Sequence, residues 1–269
     1  MRAYFLGILA LLWLSGCGGH YTLSSGDHLA ATGTEAPAVV RLQRNDFFVL
    51  NLAVKDAPIR FRLGDGPERA AYTDKLGYAG ATVQVSDSPG RYTLILDHMD
   101  SEGEEIHAEA PLYVVDPNRR VIAVALDDLP KGDSFEAKAA ATYLRGLSEQ
   151  ANVIYLTRRS VRHHDRLHAG LDQDGYPDGP ILLWEREYWH IVREGKYRIP
   201  RVVVETRLVS QLAQLREMLC GLSVGIAGSD TAAEAFDRAG MKAVVVGPAG
   251  AERAENGRES WDDLRRRGI

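Results

Sequence analysis

The hydrophobic pattern changes its period near Arg120, and this change constrains the fold more than any other feature of the 269-residue chain. Upstream, short runs alternate apolar and polar residues: Phe47–Val54, Ile59–Leu63, Ala81–Val85, Tyr92–Leu96 and Pro111–Val115. A period of two marks strands with one buried face. Gly64-Asp65-Gly66, Ser88-Pro89-Gly90 and Ser101-Glu102-Gly103 punctuate these runs as turns. Residues 39–116 are therefore expected to form a small all-β sandwich. Downstream, Val121–Val124, Val153–Thr157, Ile181–Trp184, Arg201–Val204, Ser223–Ala227 and Lys242–Gly247 read as buried strands, and Ser134–Gln150, Leu208–Leu219 and Thr231–Ala239 as helices. This alternation predicts an α/β domain over residues 119–269, a doubly wound parallel sheet with its sites at the C-terminal strand ends. Asp116-Pro117-Asn118 is the expected junction.

Composition narrows the function classes. With 26% charged residues and a formal charge of −5, the chain lacks the broad basic face that a nucleic-acid binder uses. Two cysteines are too few for a disulfide framework, and the position of the first one carries more information. Arg2 precedes an apolar run, Ala3–Leu14, that is too short to span a bilayer comfortably. The run ends in Leu14-Ser15-Gly16-Cys17, which resembles the lipobox of bacterial lipoproteins. The resemblance implies a signal peptide over residues 1–16, a lipid on Cys17 and a membrane as the first partner. Gly18, where an aspartate resembles an inner-membrane retention signal, points to the outer membrane facing the periplasm. Residues 17–38, rich in Gly, Ser, Thr and Ala, read as a flexible tether.

Several stretches carry resemblances in order. Ser88-Pro89-Gly90-Arg91-Tyr92 resembles the late strand of bacterial immunoglobulin-like domains. Val121-Ile122-Ala123-Val124-Ala125-Leu126-Asp127-Asp128 resembles the first strand and loop of haloacid-dehalogenase-superfamily phosphatases, most of all the lipin and actin-patch phosphatidate phosphatases. Val153–Thr157 resembles their second motif, Gly175-Tyr176-Pro177-Asp178-Gly179-Pro180 a Gly-Leu-Pro-x-Gly-Pro stretch, and Gly228-Ser229-Asp230 through Gly240 their last motif. The resemblance implies Asp127 as the general acid and base and Thr157 as the second-motif hydroxyl. It also implies that Ala125 replaces the nucleophilic aspartate, that Ala232 replaces a metal-holding aspartate, and that Val203 stands near the place of a phosphate-neutralising lysine. An alanine methyl group neither attacks phosphorus nor binds a metal.

Two readings follow. In the first, the domain has lost catalysis, needs no cofactor and binds a protein partner or an anionic ligand through Arg158, Arg162, Asp128, Ser229 and Asp230. In the second, a rearranged site hydrolyses phosphatidate or another phosphate ester, with Mg²⁺ held by Asp127 and Asp230. Arg158, Arg162 and Arg166 would form a row if they lay on one helix. His164 and His168 have the i, i+4 spacing of helical zinc ligands, but no third ligand stands in register, so no metal is expected there. Trp184, Tyr188, Trp189 and His190 read as packing or a cover for the pocket, and residues 251–269 as a solvated terminal helix.

Overall fold

Strand formation begins earlier than the composition suggests. The computed structural model describes residues 20–46, 50–159, 163–183, 201–247 and 259–267. Within the expected tether lie β1 (His20–Ser24), β2 (His28–Ala31) and the start of β3 (Glu35–Asp46). The tether expectation is corrected for this reason. Ala36, Ala38, Val40 and Leu42 alternate into a buried face at 0–1% exposure, and the small side chains disguise a strand as a linker.

The chain divides into two compact units, each assembled from separated stretches, so a boundary between 116 and 119 does not describe it. The first takes in residues 37–83 and 93–110 together with the chain up to Ser25. Here β3 pairs antiparallel with β1 and with β4 (Leu50–Ala53), and also pairs with β7 (Tyr78–Gln84). A second set places β5 (Pro58–Leu63) antiparallel between β6 (Arg69–Tyr72) and β8 (Gly90–Met99). Period-two alternation fully buries Ile59 and Phe61 on β5, and Leu94 and Leu96 on β8.

The second unit comprises residues 26–36, 84–92 and 111–269. β2 runs parallel to the end of β9 (Glu105–Val115), with His28 opposite Leu112. Beyond them, β10 (Val121–Ala125), β11 (Asn152–Thr157), β12 (Ile181–Leu183), β13 (Leu222–Ala227) and β14 (Lys242–Val245) form a sheet in the order β12-β11-β10-β13-β14, every pairing parallel. All five residues of β10 are buried, and the strand feeds two cores in alternation. Val121, Ala123 and Ala125 join a cluster with Leu208, Leu212 and Phe236. Ile122 and Val124 join Ala140, Leu144, Trp261 and Leu264.

The helices are α1 (Phe135–Gln150), α2 (His164–Gln173), α3 (Arg201–Met218), α4 (Asp230–Arg238) and α5 (Trp261–Arg267). The Ser134 hydroxyl caps α1 by accepting the Ala137 N–H at 3.1 Å. Gly240 ends α4 at φ 73°, a backbone conformation that favours glycine, and turns Met241 N–H back onto the Phe236 carbonyl. Arg201–Val204 is helical, not the expected strand: α3 extends without a break from the periodic Leu208 segment, and context overrides β-branched propensity. The terminal helix α5 is docked, not solvated, with Trp261 and Leu264 buried and the Trp261 ring 6.1 Å from that of Tyr143.

The expected fold class is overturned. Strand residues outnumber helical ones, and two of the three sheets contain antiparallel pairs. The wholly parallel sheet holds only five of the strands among the described residues. The protein is mostly β with mixed sheets, not a doubly wound α/β haloacid-dehalogenase arrangement behind a small immunoglobulin-like sandwich. The misjudgement has a physical source: the early strands are built from small residues, and one apolar run counted as strand is helix.

Candidate functional site

At the C-terminal edge of the parallel sheet, β10 leaves the core at Ala125 and makes a single 3₁₀ turn, Leu126–Asp128. The turn sends two consecutive carboxylates to opposite neighbours. Asp127 reaches the end of β11, where Oδ1 accepts the Thr157 hydroxyl at 3.0 Å and the Arg159 Nε–H at 3.1 Å. Its Oδ2 accepts the Arg158 backbone N–H at 2.8 Å. Asp128 reaches the end of β13, where Oδ2 accepts the N–H groups of Gly228 and Ser229 at 3.1 and 3.0 Å and the Ser229 hydroxyl at 2.8 Å. Ser229 is also the N-cap position of α4, so Asp128 holds the start of that helix by its exposed N–H groups. Each carboxylate thus works as a three-pronged tie between strand ends.

Between them lies an open cavity of about 170 Å³, lined by Ala125, Asp127, Asp128, Arg158, Ser229 and Ala232, with Leu156 and Thr231. Ala125 and Ala232 are 5% and 2% exposed and place only methyl groups there.

The structure therefore gathers most of the residues that the sequence singled out. Thr157 and Asp127 are hydrogen-bonded, and Arg158, Asp128 and Ser229 share the cavity. Asp230 is exposed at the first residue of α4 and is not among the residues that line it. Arg158 precedes α2, so it does not align with Arg166 in a helical row. Cys17, Arg162 and the Trp184–His190 group lie outside the described residues. Arg159 pairs with Asp127, a role its sequence position gave no means of separating from its neighbours.

A second constellation, which sequence reasoning missed, lies elsewhere in the same unit. Asp27, just before β2, is buried against His164 and His168 of α2. His164 Nε2 and His168 Nε2 each stand 2.8 Å from a different Asp27 oxygen, and the Ile181 N–H donates to Oδ2 at 2.6 Å. Burial opposes charge on Asp27, but the two histidines and the Ile181 N–H hold its carboxyl below the usual range. Burial also opposes charge on His164, and Asp27 outweighs it, raising the imidazole. The histidine spacing was visible in the sequence. Its carboxylate partner lies 141 residues from His168, with only the buried run Leu29-Ala30-Ala31 to hint that the segment is ordered.

No protein-family model matches the chain, and no curated protein matches it. Among solved structures it is similar to a carbohydrate acetylesterase from Xanthomonas citri, at 9% identity over 89% of this chain and 71% of that one, with a TM-score of 0.34. It is also similar to a purple acid phosphatase from yellow lupin seeds, at 9% identity over 79% of this chain and 51% of that one, TM-score 0.34. A CARDB domain from Pyrococcus furiosus covers 36% of this chain at 13% identity, with 89% of its own length matched and a TM-score of 0.25. Likenesses of this strength assign neither fold nor chemistry.

Proposed function

We propose that this is a lipid-anchored protein of the bacterial cell envelope whose strand-end cavity is non-catalytic and binds a small anionic group. The observation that carries the reading is the engagement of Asp127 and of Asp128 Oδ2 by three bonds each within the protein, beside methyl groups at Ala125 and Ala232. Phosphoryl transfer requires a nucleophile and cationic charge placed on the transferred group. Asp127 is engaged by Arg159, Thr157 and the Arg158 N–H, and Asp128 Oδ2 by the turn before α4, bonds that favour a structural role for both carboxylates. Anion binding is supported by the Arg158 side chain and by the Ser229 and Thr231 hydroxyls around the cavity. At about 170 Å³ the open cavity is smaller than the roughly 300–1,000 Å³ pockets that enclose drug-sized ligands, which suits a phosphate- or sulfate-sized group.

Titration calorimetry with inorganic phosphate and with sulfate tests the binding. Saturable binding at millimolar anion, weakened about tenfold by Arg158→Ala, is expected from removal of a charge-assisted contact. Heats indistinguishable from dilution for both anions would refute it. For the anchor, Cys17→Ala is expected to move the protein from the membrane pellet to the soluble fraction, and the mature wild-type chain to begin at a cysteine carrying acyl mass. An unmodified N-terminus in the wild type would contradict it.

A further inference from the structure

We infer that Asp27, His164 and His168 form a binding site for a divalent transition-metal ion, best suited to Zn²⁺, that fastens α2 and the start of β12 to the turn ahead of β2. This inference is independent of the reading of the strand-end cavity. Among the described residues, these three are the one group of His, Cys, Asp or Glu side chains whose ligand atoms all lie within 4.8 Å of one another. The Asp27 side chain is fully buried, that of His164 is 7% exposed and that of His168 is 20% exposed.

A second observation points to a missing ligand. His164 Nε2 and Asp27 Oδ1 are both buried and form a 2.8 Å ion pair that lacks the alignment of a hydrogen bond. Distance alone does not make a hydrogen bond, because the N–H must also point at its acceptor. Buried polar atoms almost always have a partner, and an ion between these two would serve both at once. Asp27 Oδ2, by contrast, is engaged by the Ile181 N–H and His168. The carboxylate is thus hydrogen-bonded through Oδ2 and held at Oδ1 by charge alone.

The donor set selects the class of ion. Two imidazoles and a carboxylate suit zinc and its neighbours, whereas Mg²⁺ and Ca²⁺ favour all-oxygen shells. The i, i+4 spacing puts both histidines on one face of α2, with ring centroids 4.7 Å apart. Zinc bonds of about 2.0–2.1 Å at tetrahedral angles separate ligand atoms by roughly 3.3 Å, so the 2.8 Å contacts need to open by only about 0.5 Å. Three protein ligands leave a fourth position for water, and the partly exposed His168 provides the way in.

The test uses the full mature chain, stripped with a chelator and titrated with Zn²⁺ and, for its visible absorption, Co²⁺. Expected are one zinc per chain by elemental analysis, a single tetrahedral-type Co²⁺ band displaced by Zn²⁺, and a melting temperature that zinc raises and Mg²⁺ does not. His168→Ala should lower zinc affinity at least about tenfold and abolish the Co²⁺ band while keeping the circular dichroism of the native fold. Asp27→Asn provides a second variant, since its amide oxygen can still accept the Ile181 N–H; it should lose the band as well. Absence of zinc binding and of a melting shift in the wild type would overturn the inference. Binding that survives unchanged in both variants would overturn it equally, by placing the metal elsewhere.

Discussion

Gly225→Ala is expected to destabilise the second unit by about 3 kcal/mol, at the upper end of what one inserted methyl group costs in a packed core. Gly225 sits in β13, with Ala123 of β10 on one side and Ala243 of β14 on the other. A Cβ at this position would stand 2.3 Å from Cγ of Phe236 and under 3 Å from both Cδ atoms. The ring cannot swing out of the way, because Phe236 is 0% exposed and wedged between α4 and the sheet. Either the strand bows, breaking its register with a neighbour, or α4 lifts from the sheet. Urea unfolding followed by the tryptophan signal measures the loss. Phe236→Leu added to Gly225→Ala should recover part of it, because the two residues compete for one volume and their effects are not additive. A Gly225→Ala variant within about 0.5 kcal/mol of wild type would show that α4 is not seated against β13 as described.

Asp128→Ala is expected to cost about 2 kcal/mol, and Asp128→Asn about half as much. The alanine variant leaves the Gly228 and Ser229 N–H groups and the Ser229 hydroxyl without their acceptor in a half-buried turn. Asparagine keeps an oxygen there but forfeits the negative charge beside the start of α4. The same unfolding experiment reads both variants. Equal stabilities for wild type and Asp128→Ala would contradict the role given to this carboxylate as a tie. The two predictions act on opposite ends of one element: Asp128 anchors the N-terminus of α4, and Phe236 packs its C-terminal half.

How much of this was legible in the sequence depended on the range of the signal. α1 announced itself locally, through the Ser134 cap and the alanine and leucine spacing of its buried face. β10 and β11 were equally plain, because continuous apolar runs leave little choice but burial on both faces. Motif order put Asp127, Thr157, Asp128 and Ser229 at neighbouring strand ends; in the structure Thr157 donates to Asp127 and Ser229 to Asp128. What escaped was non-local or chemically muted. The strands within residues 20–38 lie among Ala, Thr, Gly and Ser, a composition that signals a linker, while Ala36 and Ala38 alternate into a buried face. Their loss tipped the expected class from mostly β to α/β. Asp27 was illegible because no spacing rule connects it to a helix more than a hundred residues away; only folding brings the three side chains together. Arg201–Val204 failed for a different reason, since β-branched residues extend a helix once the segment following them has nucleated it.

Under the proposed function, the carboxylates of the strand-end cavity serve structure and not catalysis. Hydrolysis of soluble and lipid phosphate esters by the purified protein in Mg²⁺ tests that claim most directly, with Asp127→Asn measured in parallel. Rates equal to those of buffer and metal alone are expected for both proteins. Mg²⁺-dependent turnover by the wild type that disappears in Asp127→Asn would contradict it.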